Sequence, residues 1–300
     1  GDQAFNYCTN LSNVSIPNIV TNIGKYAFAS CASLTNVTLG ISVTTISEGA
    51  FLSCASLTSI AIPNSVATIG ENAFFDCARL TQVTIGNGVT TIGDGAFRSC
   101  ATLINVSIGT NVNSIGNGAF SACLYLTSIT IPNSVTNMGF GAFSYCSRLT
   151  TVSISDQLTA IGGQAFSDCY QLASIIIPDS VTNLGPQTFY NCTSMTTVAL
   201  GTNVTSLGSE AFFSCASLSN VTIGANVTNI GEYAFVNCTS LTAIAIDVLN
   251  PVYSSVDGVL FNHSLTTLIQ CPGGKTGSYT VPNSVTNLGD YAFSGCKSLT

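Results

Sequence analysis

Three hundred residues of 30.9 kDa carry 46% hydrophobic side chains but only 6% charged ones, against about 25% in ordinary soluble domains. Six basic residues against thirteen acidic ones give a net charge of −7, which excludes the basic surface that nucleic acid requires, and the apolar content excludes a disordered chain. The mean hydropathy of +0.48 does not indicate a membrane span: the longest apolar run, Ala122 to Leu126, is five residues, and a spanning helix needs about 20.

The cysteines reveal the organisation. Cys8, Cys31, Cys54 and so on to Cys238 recur at intervals of 23, eleven in all. Cys271 breaks the rhythm and Cys296 follows 58 residues after Cys238. A Phe stands three residues before each periodic Cys, from Phe5 to Phe235, and again at Phe293. A fixed period between about 20 and 50 residues signals a repeat array, in which each unit is too small to bury its apolar face alone and stacks on its neighbours.

Within one unit, Leu34-Thr35-Asn36-Val37-Thr38-Leu39 alternates at its end and predicts a strand. Gly40 (Pro17 or Pro63 in other units) closes it as a turn. Val43 and Ile46 then predict a second short extended segment. A Gly follows at one phase, for example Gly24, Gly70, Gly93 and Gly139, with Ser47 the exception. Gly and Ser both serve as helix N-caps, and the residue after them is often acidic (Asp2, Glu48, Glu71, Asp94, Glu232, Asp290) or, once, Pro186. This pattern predicts a short helix carrying inward Ala, Phe and Cys. The expectation is an α/β repeat solenoid: about thirteen coils, a parallel sheet on one face, and short second strands and short helices on the other. Residues 1–300 read as a single solenoid, a fragment of a longer array since both ends fall within a unit, with an irregular variant unit at 247–281. There, Val256-Asp257-Gly258-Val259 carries a tight hairpin signal and Cys271-Pro272-Gly273-Gly274-Lys275 reads as a loop.

The run Leu126-Thr127-Ser128-Ile129-Thr130-Ile131-Pro132-Asn133-Ser134-Val135-Thr136, followed by Gly139, Ala142-Phe143 and Cys146, resembles the leucine-rich repeats of the BspA-like type. The likeness covers nearly the whole chain. It implies a secreted or cell-surface protein, most often bacterial, of a kind associated with adhesion to host proteins, other cells or matrix. Localisation at the cell surface rests on this resemblance alone, because no signal peptide or anchor is visible.

The chemistry-bearing residues do not assemble a catalytic or metal set. The cysteines occur once per coil, without the C-x₂-C spacing of metal sites, and read as a reduced core ladder. His263, the single histidine, falls in a turn and has no triad partner. Neither cofactor nor enzyme activity is expected. The outward strand positions (Thr35, Asn36, Thr38; Thr127, Ser128, Thr130) predict a flat uncharged face. Aromatics outside the core phases cluster elsewhere: Tyr125, Phe140, Tyr145, Tyr170 and Tyr190, with Arg148 one coil beyond Tyr125 in the same phase. Aromatics beside Arg fit a recognition patch for a protein or glycan, and packing on the outer side is the alternative. A self-assembling structural module, joined end to end through exposed strand edges, is the other functional class considered. The reduced-ladder reading predicts that the chain, unfolded without reductant, exposes at least about ten reactive thiols; fewer in a thiol titration contradicts it.

Overall fold

A computed structural model describes all 300 residues as two compact units, Gly1–Leu158 and Thr159–Thr300. In the first, the main strands begin with β1 (Asn13–Ser15) and β3 (Asn36–Thr38), which pair in parallel with Val14 opposite Val37, 23 residues on. The same register joins β5 (Ser59–Ile62), β7 (Gln82–Ile85) and β9 (Asn105–Ser107), and then β11 (Ser128–Thr130) with β13 (Thr151–Ser153). Two-residue strands, from β2 (Asn22–Ile23) to β12 (Asn137–Met138), form a six-stranded parallel sheet. The second unit repeats the plan: β15 (Ser174–Ile176) pairs with β17 (Thr197–Ala199), and β19 (Asn220–Ile223) with β21 (Ala243–Ile246). Strand alternation turns one side chain of each pair inward, as Ile60 and Ile62 (both 3% exposed) show in β5.

The structure holds no helix, which corrects the α/β expectation. The segment after each phase Gly is a run of tight turns whose N–H groups are divided between two coils. In Gly93–Cys100, Ala96, Arg98 and Cys100 donate to Gly93, Gly95 and Phe97 of their own coil. Gly95, Phe97 and Ser99 donate instead to Asn117, Ala119 and Ser121 of the next coil, at 2.8, 2.7 and 2.8 Å. An α-helix would keep all of these bonds within the segment, to the residue four back, and so few residues are far below the length at which a helix nucleates well. Two left-handed residues per coil complete the path, Gly95 and Ser99 at φ near +61° here, Tyr26 (+52°) and Ser30 (+57°) earlier.

Two smaller readings change with the helix. The phase Gly is demanded by close approach, not by capping. A Cβ at Gly24, Gly70, Gly93, Gly116, Gly139, Gly185, Gly208 or Gly231 would fall within 2.7 Å of backbone in the preceding coil. Ser47 is accommodated with its hydroxyl on Asn22 Oδ1 (3.2 Å). Two of the acidic residues after it serve the next coil's backbone: Asp2 Oδ1 accepts the Lys25 N–H (2.8 Å) and Asp94 Oδ1 that of Asn117 (2.7 Å), whereas Glu48 accepts from the Lys25 and Tyr26 side chains of the preceding coil. Pro186, which has no N–H, follows Gly163, which has no side-chain acceptor.

The core is a set of in-register ladders. In the first unit the rings from Phe5 to Phe143 stack with centroids 4.9–5.3 Å apart and planes within 8°. Phe166, Phe189, Phe212 and Phe235 stack likewise in the second. The cysteines are free thiols, and along the regular ladder they point Sγ at the carbonyl of the preceding coil's Phe, as in Cys100 to Phe74 (3.2 Å) and Cys215 to Phe189 (3.2 Å), whereas the buried Cys271 turns to the Pro272 carbonyl. Asn250 ends the regular ladder at a phase otherwise held by Val or, once, Leu158: it is 2% exposed and donates to the Gly224 and Val227 carbonyls. Beyond it, β22 (Tyr253–Val256) and β23 (Val259–Asn262) form the hairpin that the Asp257-Gly258 signal announces, with both turn residues at positive φ. β24 (Thr267–Gln270) runs antiparallel to β23 and parallel to β25 (Asn287–Leu288), and the Cys271–Lys275 loop follows β24.

Burial pushes the Cys146 and Cys238 thiols up to about 12, from about 8.5 in an unfolded chain. The raised value means that burial of the neutral thiol stabilises the fold fully below about pH 8.5 and progressively less as pH climbs toward 12, by about 1.4 kcal/mol per pH unit for each thiol. The urea midpoint should therefore fall steeply above about pH 9, and Cys146→Ala should lower the midpoint at neutral pH yet flatten the alkaline limb. A midpoint independent of pH between about 8 and 11 contradicts the buried neutral ladder.

Candidate binding surface

The aromatic positions lie on the turn side of the coils, and the two units treat them differently. In the first unit, Tyr125 follows Cys123 in a turn fixed by its N–H on the Ala101 carbonyl (3.1 Å). Arg148, one coil on, lays its guanidinium carbon 4.0 Å from the Tyr125 ring centroid, a cation–π contact between two exposed side chains. Tyr145 occupies a left-handed position (φ +59°) filled by Tyr7 in the first coil and by Ser, Asp, Asn or Ala in the other regular coils, and the sharp backbone there turns its ring outward, 53% exposed. Phe140, 51% exposed, sits where other coils carry the acidic residue, its N–H held by Asn117 Oδ1 (2.8 Å). All four side chains are carried on backbone pinned by the core residues Phe120, Cys123, Phe143 and Cys146, which are fully buried.

In the second unit, Tyr170 is exposed and its hydroxyl lies 3.2 Å from Asp168 Oδ1. Asp168 is itself buried and accepts from Ser167 Oγ (2.8 Å) and Asn191 Nδ2 (2.9 Å). Tyr190 is half-buried and stacks on Phe213, centroids 5.1 Å apart and planes within 2°. Of the six residues singled out in the sequence, the structure thus places Tyr125 and Arg148 in direct contact, and gives Tyr190 a packing partner.

The strand face carries a feature the sequence reading missed. A groove of about 750 Å³ in the first unit spans β9, β11 and β13, and Val106, Ser107, Ser128, Ser153, Asn133 and Asp156 are among the residues that line it. The available signal was slight: Ser107 and Ser153 stand at a phase where the coils between and before them carry Thr130 and Thr84, and Val106 is half-exposed while Val83 is 1% exposed. Elsewhere many surface hydroxyls are already occupied: Thr35, Thr81 and Thr150 each donate to the carbonyl of the residue 23 before, at 3.0 Å. His263 is exposed on the turn after β23, as expected. No group of His, Cys, Asp or Glu side chains is arranged to hold a metal ion. No helix is long and apolar enough to cross a membrane.

A family model described as the BspA type leucine rich repeat region matches residues 1–127, 113–242 and 273–300, passing over β22 to β24. A leucine-rich repeat protein from Bacteroides ovatus ATCC 8483 is 28% identical, with a TM-score of 0.73 over 99% of this chain and 79% of its own. A leucine rich cell surface protein from Faecalibacterium prausnitzii A2-165 is 27% identical, with a TM-score of 0.51 over 98% of this chain and 85% of its own. A leucine-rich repeat protein from Eubacterium ventriosum ATCC 27560, 23% identical with a TM-score of 0.57, shares the fold. No curated protein matches the chain.

Because Arg148 and Tyr145 project from backbone that the core holds in place, their removal should leave the fold intact. Exposed cation–π contacts contribute about 0.5–1 kcal/mol. The Tyr145→Ala, Arg148→Ala double variant should therefore stay within about 1 kcal/mol of the parent in urea denaturation. A loss above about 3 kcal/mol would assign these side chains to packing instead.

Proposed function

This chain belongs to the BspA-type leucine-rich repeat family, and from that membership and its exposed aromatic flank we propose that it is a non-enzymatic binding scaffold at the cell surface or outside the cell. Its partner is the surface of a protein or glycan. The observation that carries the reading is the Tyr125–Arg148 pair, flanked in neighbouring turns by Phe140 and Tyr145: large, exposed side chains on a backbone with little freedom. Aromatic and Arg side chains dominate recognition energetics because they bury much area for little conformational entropy lost, and a pinned backbone reduces that loss further. The second unit, taken by itself, offers an exposed ring of the same kind in Tyr170.

A surface location is supported by the Faecalibacterium neighbour, which is a leucine rich cell surface protein. The thiol chemistry accords with it. Interior cysteines that are buried and directed at Phe carbonyls offer no accessible thiolate to an oxidising environment. The same burial removes them as nucleophiles, and His263 stands exposed on its turn, which supports the non-enzymatic reading.

The test is a binding screen of the parent chain against immobilised matrix proteins and a glycan array, followed by titration of the Tyr145→Ala, Arg148→Ala variant against whichever surface binds. A hot-spot pair should lose at least about ten-fold in affinity. Unchanged affinity in the folded variant overturns the assignment of this flank.

A further inference from the structure

The inter-coil hydrogen-bond ladder stops at one place inside the second unit, and a pocket lies there. Glu210, Phe212 and Ser214 donate their N–H groups to the carbonyls of Glu232, Ala234 and Val236 in the next coil, at 2.8, 2.9 and 2.9 Å. The equivalent donors of that next coil, the N–H groups of Tyr233, Phe235 and Asn237, meet no acceptor, because the chain leaves the ladder at Asn250 and builds the hairpin instead. Phe235 is only 2% exposed. A buried N–H without an acceptor is costly, and such groups are rarely left unmatched.

Along this edge runs a pocket of about 230 Å³. The Glu232–Phe235 segment forms one side, Gln270 of β24 lies on a second, and Gly289 and Asp290 on a third. Its chemistry is selective. The two charged side chains that line it, Glu232 and Asp290, are both acidic, and this disfavours a phosphate or carboxylate on the free N–H groups. Gln270 is 5% exposed; its Nε2 donates to the carbonyls of Cys271 (3.0 Å) and Ala292 (3.3 Å), and its Oε1 accepts nothing. Tyr233 presents its ring with that of Tyr291 edge-on, centroids 5.2 Å apart. Burial and the nearby carboxylates of Glu232 and Asp290 push the Tyr233 hydroxyl above its ordinary value, which accords with a negative potential over the pocket.

Free N–H groups on alternate residues are the open edge of the inter-coil ladder, and what completes that edge in the other coils is a second backbone supplying the carbonyls of alternate residues. We propose that this pocket binds a peptide segment of a partner protein, its carbonyls on the N–H groups of Tyr233 and Phe235 and a lysine or arginine side chain between Glu232 and Asp290. The segment takes the place that the following turn run holds in every regular coil. Its basic side chain meets two carboxylates and an aromatic face, the pairing that cations favour. The site is distinct from the Tyr125–Arg148 flank and stands whether or not that flank binds.

Amide exchange and NMR titration of the full ¹⁵N-labelled chain test the proposal. In the free protein the Tyr233 and Phe235 amides should exchange on the order of 100-fold faster than that of Phe212, whose rung is complete. Titration with the capped tripeptide alanyl-lysyl-alanine amide should shift both amides to saturation, with a dissociation constant on the order of 1 mM for so small a probe. The alanyl-glutamyl-alanine analogue should bind at least about five-fold more weakly, and Glu232→Gln with Asp290→Asn should abolish that preference. Protected Tyr233 and Phe235 amides in the free protein, absence of a saturating shift, or equal affinity for the two peptides overturns the proposal.

Discussion

Everything in this molecule depends on an exact 23-residue register, enforced by backbone hydrogen bonds that leave each coil for the next. The strands supply the familiar part, with Val14 opposite Val37 and Ile60 opposite Val83. The turn segments supply the less obvious part. Alternate N–H groups, such as those of Phe74 and Phe97, cross to the next coil at 2.7 Å, so the turn run is a ladder in its own right. Once both sides of the coil are bonded at this register, every side chain has its counterpart directly above and below. Phe must stack on Phe, Cys on Cys, and the glycines of the phase Gly lie so close to the neighbouring backbone that a Cβ added to them would clash.

That constraint explains the low charge. In-register stacking would set a charged phase against itself from coil to coil, and like charges in directly opposed positions destabilise a sheet. Neutral hydroxyls and amides repeat without that penalty and use the repetition. Thr44 donates to the carbonyl of Thr21, and Asn18, Asn64 and Asn87 each accept the N–H of the residue 23 later. The one ion pair obeys the same register, since Lys25 and Glu48 are 23 apart and meet at 2.9 Å. On the proposed reading, function lies in departures from the repeat, where a side chain larger than most of its phase, such as Tyr145, is carried by a backbone held in register.

Much of this was legible in the residues. The period followed from the cysteines, the core from the Leu, Val, Ile, Phe and Cys phases, and the hairpin from Asp257-Gly258. The helix was misread because its signals are shared: a Gly, then an acid, then inward Ala and Phe describe a capped helix and this turn run equally well. What separates them is the left-handed backbone at Tyr26 and Ser30 and the diversion of N–H groups to the next coil, and neither residue type announces this. Ser47 pointed to a cap when the real demand was close approach. The aromatic flank could be named residue by residue, yet only the structure places Arg148 on Tyr125 and gives Tyr190 to Phe213. The pocket beside Tyr233 was invisible, because it arises from how β22 to β24 meet the last regular coil and not from any motif.

The central claim is that the turn segments are inter-coil ladders, and hydrogen-bond scalar couplings in deuterated protein address it directly. The account predicts a coupling from the Phe97 amide nitrogen to the Ala119 carbonyl carbon, and the same from Phe74 to Ala96. A coupling from Phe97 to the carbonyl of Gly93, the helical pattern, would contradict it.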